Sequence, residues 1–452
     1  MKRRTPPRSS ASFAVLALLM VAGCRTAPWQ SPLASGWTSV HALLTPPPSP
    51  LVPTDATDPS SLDGKIMAGY QGWFVAKGDG TGLDWTHYGT GPRNARHFEP
   101  GAATIDLWPD LTEAGKSERY PTAFRAADGS PAEVFTSRNP ATIDRHFRWM
   151  HDYGIDGVFL QRFASELQNP ALAALRNEVL RGVRTSAARH GRTWAIMYDL
   201  SGMRAGTVER AIEEDWKRLV DLGNVRRDPR LQHFRGRPLV ALWGVGFNDG
   251  RRYSLDECER LVRWLRDDRV YGGNAVLLGV PYAWRTLDRD AASDPALLRV
   301  CSLAAIVSPW SVGRIRSPGE AVQSREKIAA DLLWSRDHGV DYLPVIYPGF
   351  SWHNLMQARG QTAEPNAIPR LGGVFFSAQA DTAIAAGARM LYVAMFDELD
   401  EGTAIMKTSD HPPAGASPFV SEPGVPPDRY LQLAGDIRAQ LQAAIAATPR
   451  QP

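Results

Sequence analysis

The sequence predicts an α/β fold, a (β/α)8 TIM barrel with long βα loops, and three observations carry that expectation. Eight short apolar runs recur along the chain, helix-length segments separate most of them, and no Gly-rich phosphate loop follows the first run as in many doubly wound sheets. Parallel strands covered by helices on one side and a filled interior on the other lose the polar alternation of a solvated sheet. The strands are expected at Ile66–Phe74, Gly157–Phe163, Trp194–Leu200, Pro238–Val245, Ala275–Pro281, Ala304–Trp310, Tyr342–Phe350 and Met390–Phe396. Helices are expected over Thr142–Tyr153, in a basic stretch ending near His190, and over Val208–Leu222, Leu255–Arg266, Glu320–His338 and Gln379–Ala386. In such a barrel the chemistry sits at the C-terminal ends of the strands.

Ahead of the barrel, residues 1–23 have the layout of a leader. Lys2, Arg3, Arg4 and Arg8 precede an apolar core, Phe13–Val21, that is too short for a persistent membrane span. Val21-Ala22-Gly23-Cys24 resembles a bacterial lipobox, in which the cysteine is diacylated and becomes the mature N-terminus. The alternative is an ordinary cleaved leader with Cys24 incidental. Lipidation at Cys24 implies a membrane-anchored lipoprotein of the cell envelope, facing the periplasm or the cell surface. Residues 24–60 are rich in Pro, Ser and Thr and suit an extended tether, with residues 61–450 forming the barrel domain.

Loss of residues 1–23 removes four basic groups and no acid, taking the formal charge from +3 to −1. That balance gives no reason to expect a nucleic-acid partner. Hydrophobic content of 43 % with 22 % charged residues is ordinary for a globular enzyme, expected here as a monomer. Cys258 and Cys301 have no zinc-site spacing and read as buried free thiols rather than a disulfide.

The expected strand ends collect aromatic and polar side chains: Tyr70, Gln71 and Trp73; Gln161 and Arg162; Tyr198 and Asp199; Trp243; Tyr282 and Trp284; Ser308 and Trp310; Tyr347, Trp352 and His353. Any one of these aromatics is more often packing than function. Gathered at one rim, flat aromatic faces suit the C–H faces of sugar rings, and Trp and Tyr keep a polar handle for hydroxyls. The long segment between the first two strands, roughly residues 75–139, is expected to wall the cleft through Trp85, His87, Tyr88, Asp106 and Trp108. A surface insertion with structural tryptophans is the other reading. Residues 353–373 are expected as the opposite wall.

Strand eight runs into Asp397, Glu398, Asp400 and Glu401. Four carboxylates in five residues at the mouth of a buried strand repel one another and resist desolvation. An acid-rich helix start capped by Asp397 would explain them structurally. Glycosidic bond cleavage explains them chemically, because it needs two carboxyl groups, one holding a proton near neutral pH. Glu398 and Glu401, three apart, would share one side of a helical turn, leaving Asp397 and Asp400 for substrate hydroxyls or backbone N–H groups. A carboxylate metal site is the competing chemistry, but no metal-binding motif accompanies the cluster, and neither a metal nor another cofactor is expected. No nucleophile elbow marks serine chemistry.

DELDEGT at Asp397–Thr403 resembles the N-E-W-H-E-G-T segment that ends the last strand in glycoside hydrolase family 99. GYQGWF at Gly69–Phe74 and the run Phe135–Phe163 are similar to the wider family 71/99-like group. The resemblance spans about residues 61–445. It implies a retaining endo-α-mannosidase-like barrel in which Glu401 is the general acid/base. Glu398 would deprotonate the sugar 2-hydroxyl, so that this oxygen attacks the anomeric carbon, or would itself be the nucleophile. Gly402 and Thr403 also match, whereas Asp397, Leu399 and Asp400 stand where the family has Asn, Trp and His. The expectation is a glycoside hydrolase acting on an oligo- or polysaccharide, with α-mannosides and α-glucans as candidates. The alternative is a carbohydrate-binding lipoprotein on the same barrel without catalysis.

Overall fold

The computed structural model describes residues 53–93 and 95–448, together with Leu44. The leader, Cys24 and most of the expected tether lie outside the described residues. The barrel strands are β1 (Ile66–Tyr70), β2 (Gly157–Phe163), β3 (Thr193–Asp199), β4 (Arg237–Trp243), β5 (Ala275–Pro281), β6 (Ile306–Trp310), a two-piece β7 (Asp341–Tyr342 and Val345–Ile346) and β8 (Leu391–Val393). Each pairs in parallel with the next, and β8 returns to β1 through Ile66 opposite Leu391.

Strand seven closes the ring in two steps. Its first piece pairs with β6 and its second with β8. Pro344 between them has no N–H to give to the ladder, so the strand cannot run through unbroken. Pairing nevertheless continues on both sides, because Leu343 N–H donates to Val307 O at 2.9 Å and Tyr392 N–H to Pro344 O at 3.0 Å. The result is a closed (β/α)8 barrel.

Outside the ring lie α1 (Pro140–Asp152), α2 (Pro170–Arg189), α3 (Val208–Asp221), α4 (Leu255–Asp267), α5 (Ala296–Ser302), α6 (Pro318–Gln323), α7 (Arg325–Asp337), α8 (His353–Ala358), α9 (Val374–Ala385) and α10 (Arg429–Ala447). Their starts follow local sequence. Asn139 and Asn169 accept backbone N–H groups ahead of Pro140 and Pro170, and Ser254 with Glu257 forms a capping box. The single helix expected over Glu320–His338 is two helices, broken where the Ser324 hydroxyl donates to Ala321 O. α9 begins five residues before the expected Gln379.

Strand residues alternate between two apolar layers. Met67, Phe159, Met197 and Leu277 fill the barrel interior, while Ala68, Leu160, Ile196 and Leu278 face the helices. Each buried side chain of this kind contributes roughly 1.5–3 kcal/mol. Gly279 is required by this packing, since a Cβ there would lie 2.4 Å from the Trp243 ring. Cys258 in α4 and Cys301 in α5 are buried free thiols, and burial pushes the Cys258 thiol up to about 12. No helix among the described residues is long and apolar enough to cross a membrane.

The end of the expected tether is bonded to the N-terminal face of the barrel. Thr57 N–H donates to Gly191 O at 2.8 Å, and Pro59 O accepts from His233 N–H at 2.7 Å. Arg184 also donates to Leu44 O. The body's attachments therefore begin before residue 61, on the face away from the C-terminal strand ends.

Candidate active site

At the C-terminal rim a cleft of about 970 Å³ opens over β8, near the upper end of the range typical of small-ligand sites. Its floor is the stretch after β8. There the chain makes turns rather than the expected helical start, yet Glu398 and Glu401 both line the cleft, as does Asp400. The turns are fixed by backbone bonds: Phe396 N–H donates to Gly69 O at 2.7 Å, Ala404 N–H to Glu398 O at 3.0 Å, and Ser351 N–H to Glu401 O at 2.9 Å. Gly402 has φ 65°, and a Cβ there would come within 2.9 Å of the Ser351 nitrogen. A glycine is the residue that this turn accepts.

The four acids have separate environments. Asp397 is fully buried and accepts the backbone N–H groups of Gln71 at 2.7 Å and Gly72 at 2.9 Å. It ties the end of β1 to β8 and does not line the cleft. Glu398 accepts from the Gln71 side-chain amide at 2.6 Å on one oxygen and from the Thr403 hydroxyl at 2.7 Å on the other. Asp400 lies 3.3 Å from Nδ1 of His87, and its second oxygen has no partner among the described residues. Glu401 makes no side-chain hydrogen bond within the described protein.

Burial sets the protonation of this floor. Desolvation, then the charges of Glu401 and Asp400, raise Glu398 well above the carboxylate range. Desolvation and Asp400 push Glu401 up to about 7. Two donors on Glu398, the Gln71 amide and the Thr403 hydroxyl, favour its ionised form, and Glu401 has no such donor among the described residues. Asp199 at the end of β3 also lines the cleft, and burial pushes it up to about 6.

Aromatic side chains form the walls. Trp73 stacks on His87 at 3.9 Å between ring centroids and on Phe163 at 5.2 Å. His87 holds this position with φ 61°, a left-handed backbone that costs a non-glycine residue on the order of 1 kcal/mol or more. Trp243 packs against Phe247 at 4.9 Å and edge-on to Trp310 at 5.2 Å, and Phe350 packs beside Trp352 at 5.1 Å. Five buried polar atoms on cleft-lining residues lack a partner among the described residues: Gln71 Oε1, Trp73 Nε1, Gln161 Oε1, Trp243 Nε1 and Asp400 Oδ1. Leaving such groups unpaired costs roughly 1–3 kcal/mol each, and a polyhydroxylated ligand supplies complementary partners. Among the described residues no group of three or more His, Cys, Asp or Glu is arranged to hold a metal ion.

Of the residues singled out in the sequence, the structure brings Gln71, Trp73, His87, Gln161, Asp199, Trp243, Trp310, Trp352, Glu398, Asp400 and Glu401 to this cleft. It takes others away. Tyr70, Arg162 and Tyr198 point outward from their strands: Tyr70 hydrogen-bonds His146 at 2.9 Å, while Arg162 and Tyr198 both bond Asp215 on α3. Trp85 and Tyr88 pack with Phe98 beneath the loop, and the Tyr88 hydroxyl donates to Phe135 O at 2.9 Å. Tyr347 donates to Ile315 O, and the His353 ring meets Ala363 O at 2.6 Å. Trp284 bonds Asp331 outside the ring, and Trp108 joins the cluster of Phe98, Phe124 and Phe419.

The long first loop is not wholly irregular. It contains a hairpin, Tyr120–Arg125 with Pro131–Val134. Asp106 is its main tie to the opposite wall, accepting N–H groups of His353 at 2.7 Å and Asn354 at 2.8 Å, with the Ser351 hydroxyl also bonded. Residues of both walls, His87 and Arg96 on one and Trp352, Leu355 and Arg359 on the other, line the cleft. The donor role of Gln71 and the presence of Phe163, Arg96, Arg316 and Arg359 were not anticipated. Strand parity is the signal that marks Phe163 and separates Gln71 from Tyr70, because Gln71 and Phe163 share a face with Gly69 and Gln161.

No family model matches the chain, and no curated protein matches it. Solved structures do. A GH99 endo-alpha-mannosidase from Bacteroides thetaiotaomicron matches with a TM-score of 0.61 at 14 % identity, covering 85 % of this chain and 100 % of that one. A second GH99 endo-alpha-mannosidase structure, in complex with BIS-TRIS-propane, gives 0.60 at 14 % identity over 86 % and 100 %. A glycoside hydrolase-like protein gives 0.50 at 15 % identity over 88 % and 98 %. The resemblance to the family 99 barrel therefore holds across most of the chain, as a likeness of fold.

Proposed function

We propose that the chain is a glycoside hydrolase that cleaves a glycosidic bond in a glycan with retention of configuration. The observation that carries this reading is the pairing of Glu398 and Glu401 on the floor of an aromatic-walled cleft, one with both oxygens hydrogen-bonded and the other unbonded. Glu401 gives its proton to the glycosidic oxygen as the C–O bond breaks, then takes a proton from the incoming water. Glu398 removes the proton of the sugar 2-hydroxyl so that O2 closes on the anomeric carbon, or attacks that carbon directly. Water then opens the intermediate at the anomeric carbon, O2 takes back its proton from Glu398 where it was the nucleophile, and the starting configuration is restored. Gln71 and Thr403 hold Glu398 in place for this step.

The likeness to GH99 endo-alpha-mannosidases supports α-mannosides as the first substrates to try, with α-glucans beside them. The departures in the last-strand segment bear on that choice. Leu399 is buried and its carbonyl anchors the first loop through Asp106 and Leu107, so it offers no ring to a sugar. His87 lies beside Asp400, where the family segment itself carries a histidine. We also propose a monomer anchored through lipid on Cys24, since the leader and lipobox-like segment support it; a Cys24→Ser protein that still fractionates with membranes would reject the anchor.

Replacing Glu401 by Gln tests the assignment. Turnover of a polysaccharide should fall about 100-fold or more, as expected for loss of a general acid. Aryl glycosides with good leaving groups should lose much less, because their departure needs little protonation. Equal losses on both substrate types, or none on either, would reject Glu401 as the acid.

A further inference from the structure

We propose that the glycan bears an anionic group, a uronate carboxylate or a sulfate ester, on a ring beside the one being cleaved, and that Arg359, Arg316 and Arg96 recognise it. The proposal rests on the glycan-cleaving reading of the cleft. Its physical basis is a separation of charge: Asp199, Glu398, Asp400 and Glu401 line the floor and strand ends, whereas arginines stand along the rim. Three loops, those after β1, β6 and β7, each contribute one of these arginines.

The rim arginines are not consumed by structural ion pairs. Arg314, a fourth cleft arginine, is neutralised by Asp290 at 2.8 Å. Arg359 and Arg316 are exposed, and neither guanidinium pairs with a carboxylate among the described residues. Arg96 is fixed through one amino group by Leu83 O at 3.2 Å, the Thr86 hydroxyl at 2.8 Å and Arg93 O at 2.9 Å, all uncharged acceptors.

A purely structural role for Arg359 would be to neutralise the floor. It would then pair with Asp400, whose Oδ1 has no partner, and it does not. Its charge nonetheless lowers both Asp400 and Glu401, which places it within electrostatic reach of the reacting pair. An anion finds no cationic partner on the floor, which is lined by acids. It can settle at the rim, where a guanidinium fork offers two parallel N–H donors to a carboxylate or sulfate. A neutral ring over Glu398 and Glu401 with an anionic ring against the arginines satisfies both halves of the cleft. The same rim charge raises the encounter rate of polyanionic chains.

The test compares oligosaccharides of matched length: rhamnogalacturonan oligomers, in which galacturonate alternates with a neutral ring, for the carboxylate, kappa-carrageenan oligomers, in which sulfated rings alternate with unsulfated ones, for the sulfate, and mannan and dextran oligomers as neutral references. Wild-type protein should favour one anionic class over the neutral references by about tenfold or more in kcat/KM, the scale of a charge-assisted bidentate contact. Which class wins identifies the anion. The Arg359→Gln, Arg316→Gln double variant should bring the ratio close to one, mainly through KM, and about 0.5 M KCl should narrow it in the wild type. Neutral oligomers cleaved as well as anionic ones, or a ratio unmoved in the double variant, would overturn the proposal. Binding to Glu401→Gln protein, read by calorimetry, separates the two readings. Arginine-dependent binding of an anionic oligomer without wild-type turnover would defeat the hydrolase reading and leave this one standing, whereas turnover confined to neutral oligomers would do the reverse.

Discussion

Glu398 and Glu401 differ in what their oxygens meet, and the proposed mechanism gives them different roles on that ground. Glu398 accepts two hydrogen bonds, from Gln71 and Thr403, and Glu401 accepts none from a neighbouring side chain. Burial raises both, and Glu401 reaches about 7. A carboxyl raised in this way holds its proton in the folded state at pH values where the unfolded chain has lost it. Stability is therefore greatest below the unfolded value near 4.5 and declines as pH rises toward about 7. Gln cannot ionise, so Glu401→Gln should be about as stable as wild type at low pH and more stable above neutrality, by about 1–3 kcal/mol. Thermal melts across the pH range check this; a stability difference that does not grow with pH would show that Glu401 is not held protonated. The carboxylate cluster was legible in the sequence because its composition is costly without a use. The roles of its neighbours were less so. Tyr70 with Gln71, Gln161 with Arg162, and Tyr198 with Asp199 are adjacent pairs of which one member faces in and the other out. Nearness to a strand end did not separate them; period-two alternation does.

At the scale of elements, β2 to β6 fall within two residues of their expected positions because each is a run of apolar residues that a buried strand accommodates, and β1 and β8 start within one residue of theirs but end earlier. β7 is the exception, broken by Pro344 in the middle of the expected run. The hairpin in the first loop carried its own signal, alternation in Tyr120–Arg125 and an Asp-Gly turn at Asp128-Gly129, obscured by the length of the segment around it. This loop acts as a cleft wall because Asp106 fastens it to the start of α8. Asp106→Ala removes a charged acceptor from two N–H groups and a hydroxyl, and should cost about 2–4 kcal/mol in opening the loop after β7. Hydrogen exchange at Ser351–Ala358 should rise sharply and KM with it, with β1–β5 still protected. Unchanged exchange in that segment would mean that Asp106 is not the tie.

The whole molecule has two ends with different tasks. The cleft occupies the C-terminal end of the barrel, while residues 57–59 are bonded across the N-terminal end. The central claim is that two glutamates on β8's exit loop cleave a glycosidic bond with retention. Its most direct test is proton NMR of the anomeric signals during the first minutes of oligosaccharide cleavage by the wild-type protein. With retention, the new reducing end appears first with the configuration of the bond cleaved and then mutarotates. First appearance of the opposite anomer would contradict it.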